Sequence, residues 1–214
     1  MQLYSFFRSG TSHRLRIALG LKGLSPDYVA VDLRREEHLQ PAYRSINPQG
    51  LVPALRLDDG EVLTQSPAIL EWLEERYPEP ALLPADALGR ARVRALAALV
   101  GCDIHPINNR RILEHLRHAC KLPEDEIQRW CATWITSGFD AYEALLAGDR
   151  QRSDDFSFGD HPTLADVYLI PQVESARRFQ VDLARWPLIS RIDTACARIE
   201  AFQQAAPARQ PDAA

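Results

Sequence analysis

Leu3-Tyr4-Ser5-Phe6-Phe7-Arg8-Ser9-Gly10-Thr11-Ser12-His13-Arg14-Leu15-Arg16-Ile17-Ala18-Leu19 decides the fold. A short apolar run is followed by a polar turn and then by apolar residues at helical spacing, so strand, tight turn and amphipathic helix come in that order. Ser9, Gly10, Thr11 and Ser12 stand where the helix opens and where its first backbone N–H groups point forward without partners. A helix start of this kind attracts an anion or a thiolate. The cations Arg8, His13, Arg14 and Arg16 are at the wrong end of the macrodipole, which favours negative charge there. A local rule broken in one place often marks function, and two or more anionic groups meeting at this turn would resolve the conflict.

Outward from that turn, the helix carries Leu15, Ala18, Leu19 and Leu21 toward a core and stops at Lys22-Gly23, a basic last turn before a C′ glycine. Tyr28 to Val31 reads as a second strand, and Arg34 to Ser45 as an irregular, partly helical connection. In Asn47-Pro48-Gln49-Gly50-Leu51-Val52-Pro53-Ala54, Val52 is barred from helix by the proline after it, and the Val52–Pro53 bond is a place for a cis peptide. Ala54 to Leu57 and Glu61 to Leu63, joined by Asp58-Asp59-Gly60, predict a hairpin. In Gln65-Ser66-Pro67-Ala68-Ile69, Ser66 is the expected N-cap and Pro67 the first helical residue, giving a second helix start that can bind an anion. That helix closes at Tyr77-Pro78, and the proline-rich Pro78 to Pro84 reads as a linker.

Beyond the linker the patterning is helical throughout. One run extends from Gly89 to about His118, with Pro106 expected to kink or break it, and another from Pro123 through Leu146. Asp149 to Ser157 is expected to be a mobile loop. Thr163-Leu164-Ala165-Asp166 has capping-box spacing, so Asp166 is a cap rather than a catalytic acid. A last helix covers roughly 189–205, and 206–214 should fray. The fold class is therefore α/β plus all-α, with a βαβ–ββα unit over 1–80 and an all-helical unit over 87–214.

The net charge of −4 is mild, which argues against nucleic acid and anionic membrane as partners and requires any anionic substrate to be held by a local cluster. No apolar run reaches transmembrane length and no signal-peptide pattern opens the chain, so a cytosolic protein is expected. Cys102, Cys120, Cys131 and Cys196 lack C-x-x-C or metal-ligand spacing; they are expected to be buried or inert, and no metal site is expected.

The order of a thioredoxin-like unit followed by a helical domain resembles the glutathione S-transferase superfamily. Arg8 to Leu19 is similar to the zeta-class signature Ser-Ser-Cys-x-Trp/His-Arg-Val-Arg-Ile-Ala-Leu, and Asn47-Pro48, Val52-Pro53, Gln65-Ser66-Pro67-Ala68-Ile69, Thr163 to Asp166 and Arg178-Phe179-Gln180-Val181-Asp182-Leu183 resemble other zeta-class elements. Cys102 to Arg111 resembles the bacterial maleyl keto acid isomerases within that class. The resemblance implies glutathione as cofactor, a dicarboxylate substrate and a homodimer. It implies that Val52, before a cis Pro53, binds the cysteinyl amide, that Gln65 and Ser66 hold the γ-glutamyl group, and that His105 and Asn109, one helical turn apart, face the thiol. Gly10 and Thr11 replace the second Ser and the Cys of the signature, so a protein nucleophile in this turn is not expected and the sulfur must come from glutathione.

The implied reaction is cis–trans isomerisation of maleylpyruvate, with maleylacetoacetate isomerisation or general glutathione transfer as alternatives. Conjugate addition of a thiolate makes the double bond temporarily single, passing through an enediolate. Ser9 first, and Thr11 second, are expected to lower the thiol pKa from near 8.5. Arg8 and Arg178, with Arg110 or Arg111 as a third, are expected to bind the carboxylates and the growing oxyanion. His105 is either a general acid or a polar lining residue. A catalytically silent binding protein of the same fold would be marked by failure to bind glutathione.

Overall fold

A computed structural model describes residues 1–149 and 155–213 and divides the chain into two compact units, Met1–Leu82 with Ala197–Ala214, and Leu83–Cys196. The first unit differs from the expected 1–80 in recruiting the end of the chain. Residues 150–154, on which part of the expected Asp149–Ser157 loop falls, lie outside the described residues.

In the first unit β1 (Gln2–Ser5), α1 (Gly10–Leu21), β2 (Asp27–Ala30), the single turn α2 (Pro41–Arg44), β3 (Ala54–Arg56), β4 (Val62–Thr64) and α3 (Ser66–Arg76) follow in order. The sheet order is β2-β1-β3-β4, with β2 parallel to β1 and the rest antiparallel, the arrangement that a βαβ crossover followed by a hairpin produces. Leu3 pairs with Tyr28 on one side and Leu55 on the other. Because side chains alternate across a strand, Tyr4 and Phe6 leave the sheet on the face opposite Leu3 and cluster with Val31, Tyr43, Val52 and Ala54. The hairpin turn ends at Gly60, whose φ of +95° suits glycine.

The helix α1 is not amphipathic as predicted. Ser12 to Leu19 are buried without interruption. The cover comes from a short helix near the end of the chain, Glu200–Ala205, which packs on the face that would otherwise meet solvent. Close approach is possible because Gly20 sits there, where a Cβ would stand 3.2 Å from that of Ala201. The basic residues of α1 are thereby interior. Arg16 donates to Ser5 Oγ and to the carbonyls of Phe6, Phe7 and Ala205, and burial draws its pKa down to about 10. The end of α1 is fixed by Lys22, whose buried ammonium bonds Glu74 at 2.9 Å and the carbonyls of Tyr77 and Pro80.

His13 is 3% exposed, and burial together with the nearby Arg16 charge lowers its pKa to about 3. The unfolded chain, with a value near 6.5, therefore binds the proton first as pH falls. Stability from this group is complete above about pH 6.5 and is lost toward pH 3. Unfolding free energy measured by denaturant between these limits should fall by up to about 1.4 kcal/mol per pH unit on this account, and His13→Gln should flatten that slope.

In the second unit α4 (Ala87–Ala98), α5 (Arg110–His118), α6 (Glu124–Gly148), α7 (Leu164–Arg178) and α8 (Pro187–Cys196) are the main helices. The predicted break at Pro106 begins earlier than expected. After Ala98 the chain runs as π-helix over Leu99–Ile104, turns through a 3₁₀ segment at Pro106–Asn108, and restarts at Arg110. Two glycines allow this: a Cβ on Gly101 would lie 2.8 Å from Tyr168, and one on Gly138 would collide with Ile104. The capping box at Thr163 is present, with Asp166 at its centre. Cys131 and Cys196 are buried, the first of the two alternatives expected, whereas Cys102 and Cys120 are exposed.

The predicted last helix is two. It is interrupted after Cys196, where the chain leaves the second unit, and resumes as α9 (Glu200–Ala205) in the first. Nor do the described residues of the tail, 206–213, fray. Asp212 accepts the Phe7 N–H at 3.0 Å and the Tyr28 hydroxyl at 2.7 Å.

Candidate active site

Ser9 is the N-cap of α1 and its Oγ accepts from the Ser12 N–H at 3.2 Å. The N–H groups of Gly10 and Thr11, the first two of the helix, have no intrahelical acceptor. Thr11 Oγ1 donates to the Val52 carbonyl at 2.8 Å and lies 2.9 Å from Ser9 Oγ. A hydroxyl has one proton, so with that of Thr11 engaged by Val52 the Ser9–Thr11 bond must be donated by Ser9. Ser9 therefore holds the proton that can be redirected to a bound sulfur, and Thr11 fastens the helix start to the Val52 backbone.

Val52 is presented by a braced loop. Tyr43 Oη and Asn47 Nδ2 both donate to the Leu51 carbonyl at 2.7 Å, and Asn47 Oδ1 accepts from Gln49. Gly50 is required at φ +62°, where a Cβ would meet the His38 carbonyl at 2.8 Å. The Val52–Pro53 bond is cis, and the Val52 N–H makes no backbone hydrogen bond among the described residues.

The second helix start departs from the prediction by one residue. Gln65, at φ +67°, is the N-cap of α3, and Ser66 is the first helical residue. Ser66 therefore does not cap its own helix. Its hydroxyl is buried and finds no hydrogen-bond partner among the described residues. Gln65 points its amide to Gln49 Oε1. An unpartnered buried hydroxyl beside free helix N–H groups fits the γ-glutamyl end of glutathione, and the open Val52 backbone fits its cysteinyl amide.

Arg8 is exposed, its guanidinium 5.6 Å from the centre of the Phe7 ring, and it makes no ion pair among the described residues. By contrast Arg34, over the other ring contacts of Phe6 and Phe7, is bidentate to Asp32. Of the turn's four cations only Arg8 is exposed.

The remaining candidates lie in the second unit. His105 ends the π-helical stretch and Asn109 is the N-cap of α5, its Oδ1 accepting from Arg111 N–H at 3.2 Å. The two are not on one regular helical turn, as predicted, yet their side chains meet, Asn109 Nδ2 being 3.5 Å from His105 Nε2. With Asn109's oxygen used for the cap, its amide is the donor in this pair, and His105 Nε2 is the acceptor. Arg110 and Arg111 open α5, repeating the misfit of cations at a helix start; Arg110 reaches Glu114 at 4.0 Å and Arg111 is exposed. Arg178 ends α7, its guanidinium 4.9 Å from the Phe179 ring and 3.2 Å from Ser175 Oγ.

Sequence reasoning assigned no role to Tyr43, Asn47 or Asp212. Asn47 had a signal, its place in Asn-Pro before the cis proline; Asp212, in a tail of Ala, Pro, Gln and a single Arg, had none.

A sheet of order β2-β1-β3-β4 with a cis proline before β3, two helix starts open to an anion and a separate helical unit define a glutathione S-transferase fold. Residues 8–76 match the family's N-terminal domain and residues 124–207 its C-terminal domain. The chain belongs to the glutathione S-transferase family. It is 67% identical to the maleylpyruvate isomerase of Ralstonia sp over the whole of both chains, and 52% identical to the maleylacetoacetate isomerase of Pseudomonas aeruginosa, covering 99% of this chain and 98% of that one. Among solved structures, the holo form of a maleylpyruvate isomerase, a bacterial glutathione S-transferase of the zeta class, superposes with a TM-score of 0.97 at 67% identity and complete coverage of both chains. A maleylacetoacetate isomerase from Methylobacterium extorquens, with bound malonate and glutathione, gives 0.95 at 36% identity, covering 99% of this chain and 98% of that one.

Proposed function

We propose that the protein is a glutathione-dependent cis–trans isomerase that converts maleylpyruvate to fumarylpyruvate in the breakdown of aromatic compounds by the gentisate route. The observation that carries this reading is the Arg8–Ser9 turn. It places an exposed arginine, without an ion pair among the described residues, next to a hydroxyl whose proton can be turned to a sulfur. Glutathione, when bound, supplies a thiolate that adds reversibly to the substrate's conjugated double bond, so that the bond can rotate. Ser66 and Gln65 hold its γ-glutamyl end, and Val52 with Pro53 aligns its cysteinyl backbone, with His105 and Asn109 lining the thiol end. Ser9 donates to the sulfur and stabilises the thiolate, each unit of lowered pKa corresponding to about 1.4 kcal/mol. Arg8 and Arg178, with Arg110 or Arg111, pair with the substrate carboxylates, and the same cations favour the oxyanion that grows on the keto group.

The bound malonate in the Methylobacterium extorquens relative supports a dicarboxylate ligand. The Pseudomonas aeruginosa relative supports maleylacetoacetate as the second reading, because one methylene changes discrimination by only about 1–3 kcal/mol. No described helix is long and apolar enough to cross a membrane, and four unpaired cysteines suit a reducing cytoplasm. The family resemblance supports a homodimer.

Incubation with maleylpyruvate, with and without glutathione, should give the fumaryl isomer only when glutathione is present. Parallel kinetics on maleylacetoacetate separate the two substrates by kcat/KM. Arg8→Ala and Arg178→Ala should each abolish most turnover while glutathione still binds by calorimetry; full activity in both would overturn the carboxylate assignment.

A further inference from the structure

The peptide groups on either side of Phe7, immediately before Arg8 and Ser9, are both held. The Phe7 carbonyl accepts from Arg16 Nη2 at 2.9 Å and the Phe7 N–H donates to Asp212 Oδ2 at 3.0 Å. Both holds are rooted in the last residues of the chain. Arg16 is itself fixed by its Nε–H bond to the Ala205 carbonyl at 2.9 Å, and Asp212 belongs to the tail that follows α9. The second oxygen of Asp212 accepts the Tyr28 hydroxyl at 2.7 Å, and the carboxylate stands close enough to Arg16 and Arg34 to act on the charges of both. Burial raises the pKa of Tyr28, so its hydroxyl remains a donor at working pH. Ser9 hangs from the same turn through its N–H bond to the Phe6 carbonyl at 3.0 Å. A carboxylate accepts from both donors at once, one on each oxygen; asparagine can hold the same two groups only with the Tyr28 hydroxyl turned to accept from its amide, and alanine or leucine can hold neither.

We propose that Asp212 is a positioning residue for the thiol-activating turn: by joining Phe7 N–H to Tyr28 it fixes where Arg8 and Ser9 stand. This rests on the reading that Ser9 serves the glutathione thiol. A displacement of about 1 Å at a reacting group can cost about a hundredfold in rate, so the hold acts on turnover more than on capture of glutathione, whose other contacts lie on Val52, Gln65 and Ser66.

The test uses the full chain carrying Asp212→Ala, Asp212→Leu, Asp212→Asn and Tyr28→Phe. Three readouts are followed: kcat against KM for glutathione, the ultraviolet absorbance of bound thiolate as a function of pH, and Tm. Asp212→Ala and Asp212→Leu should each lower kcat by about tenfold or more and move the thiolate titration to higher pH, with KM for glutathione little changed. Tyr28→Phe alone should have the smaller effect. Asp212→Asn should retain most of the activity, because its oxygen still accepts from Phe7 N–H and its amide can donate to a turned Tyr28 hydroxyl. A wild-type kcat and thiolate titration in both Asp212→Ala and Asp212→Leu would overturn the proposal. So would a loss that tracks Tm alone and is not relieved in Asp212→Asn. Absence of glutathione-dependent isomerisation in the wild-type protein would instead refute the functional reading itself.

Discussion

Ser9→Ala is expected to lower kcat by about 10²- to 10³-fold while glutathione still binds, the size seen when one preorganised donor is removed from a developing charge. The hydroxyl accounting is the reason. Thr11 has its proton on the Val52 carbonyl, so Ser9 alone can turn a proton toward sulfur without breaking the contact that fixes the loop. Without it the bound thiol should titrate closer to the free value near 8.5, leaving only a few per cent as thiolate at neutral pH. The alanine variant also loses an N-cap, costing about 1 kcal/mol of stability, so Ser9→Thr, which keeps both hydroxyl and cap, is the control and should retain most of the activity. Thr11→Ala should act differently, raising KM for glutathione more than it lowers kcat. Stopped-flow turnover and thiolate absorbance on these three variants check the assignment; equal kcat in Ser9→Ala and wild type would refute it.

Asp166→Ala should destabilise the helical unit by about 3–5 kcal/mol, a large part of the 5–15 kcal/mol by which proteins of this kind are stable. Asp166 is fully buried and its carboxylate accepts from Ser157 N–H and Thr163 N–H, each at 2.8 Å, and from the Thr163 hydroxyl at 3.1 Å. Alanine would leave these donors without an acceptor in a site closed to water, where each costs about 1–3 kcal/mol. Asp166→Asn keeps one acceptor and should lose less. Urea unfolding followed by tryptophan fluorescence and far-ultraviolet dichroism measures the difference; an unchanged midpoint would mean that water or a local shift replaces the carboxylate.

Asp166 was legible because a capping box is a local pattern: a threonine, an acid three residues on and an apolar run identify it without knowledge of the fold. At the Arg8–Ser9 turn the helix start was legible, Ser9 being the N-cap of α1, but three of the four cations that contradict the macrodipole, His13, Arg14 and Arg16, are buried rather than open to an anion. What could not be read were features set by distant partners. The apolar spacing of α1 gave no warning that Arg14 and Arg16 are interior, since the cover arrives from residues 197–214, and Arg16's acceptor, Ala205, is 189 positions away. A backbone carbonyl and a single carboxylate leave no periodicity in a tail of small and polar residues, so that tail read as one that should fray. The early break after Ala98 depends on Gly101 meeting Tyr168 and Gly138 meeting Ile104, contacts a helical pattern cannot express. At Ser66 the error was one residue, within the usual uncertainty of helix ends, but it changed the chemistry, because a capping hydroxyl is occupied and this one has no hydrogen-bond partner among the described residues.

The sheet unit is begun before the helical unit and completed after it. Residues 1–82 leave the ribosome with Arg16 lacking its Ala205 acceptor and Phe7 lacking Asp212, and the missing strip emerges only after 114 further residues, 83–196, have been made. At ordinary translation rates that interval is roughly 6 to 23 s, during which the unit carries an uncovered face of α1 and must avoid association with other nascent chains. The long-range closure also raises contact order and slows folding. The helical unit, continuous in sequence from Leu83 to Cys196, is under no such delay and can finish folding while the turn that carries Arg8 and Ser9 is still unpinned.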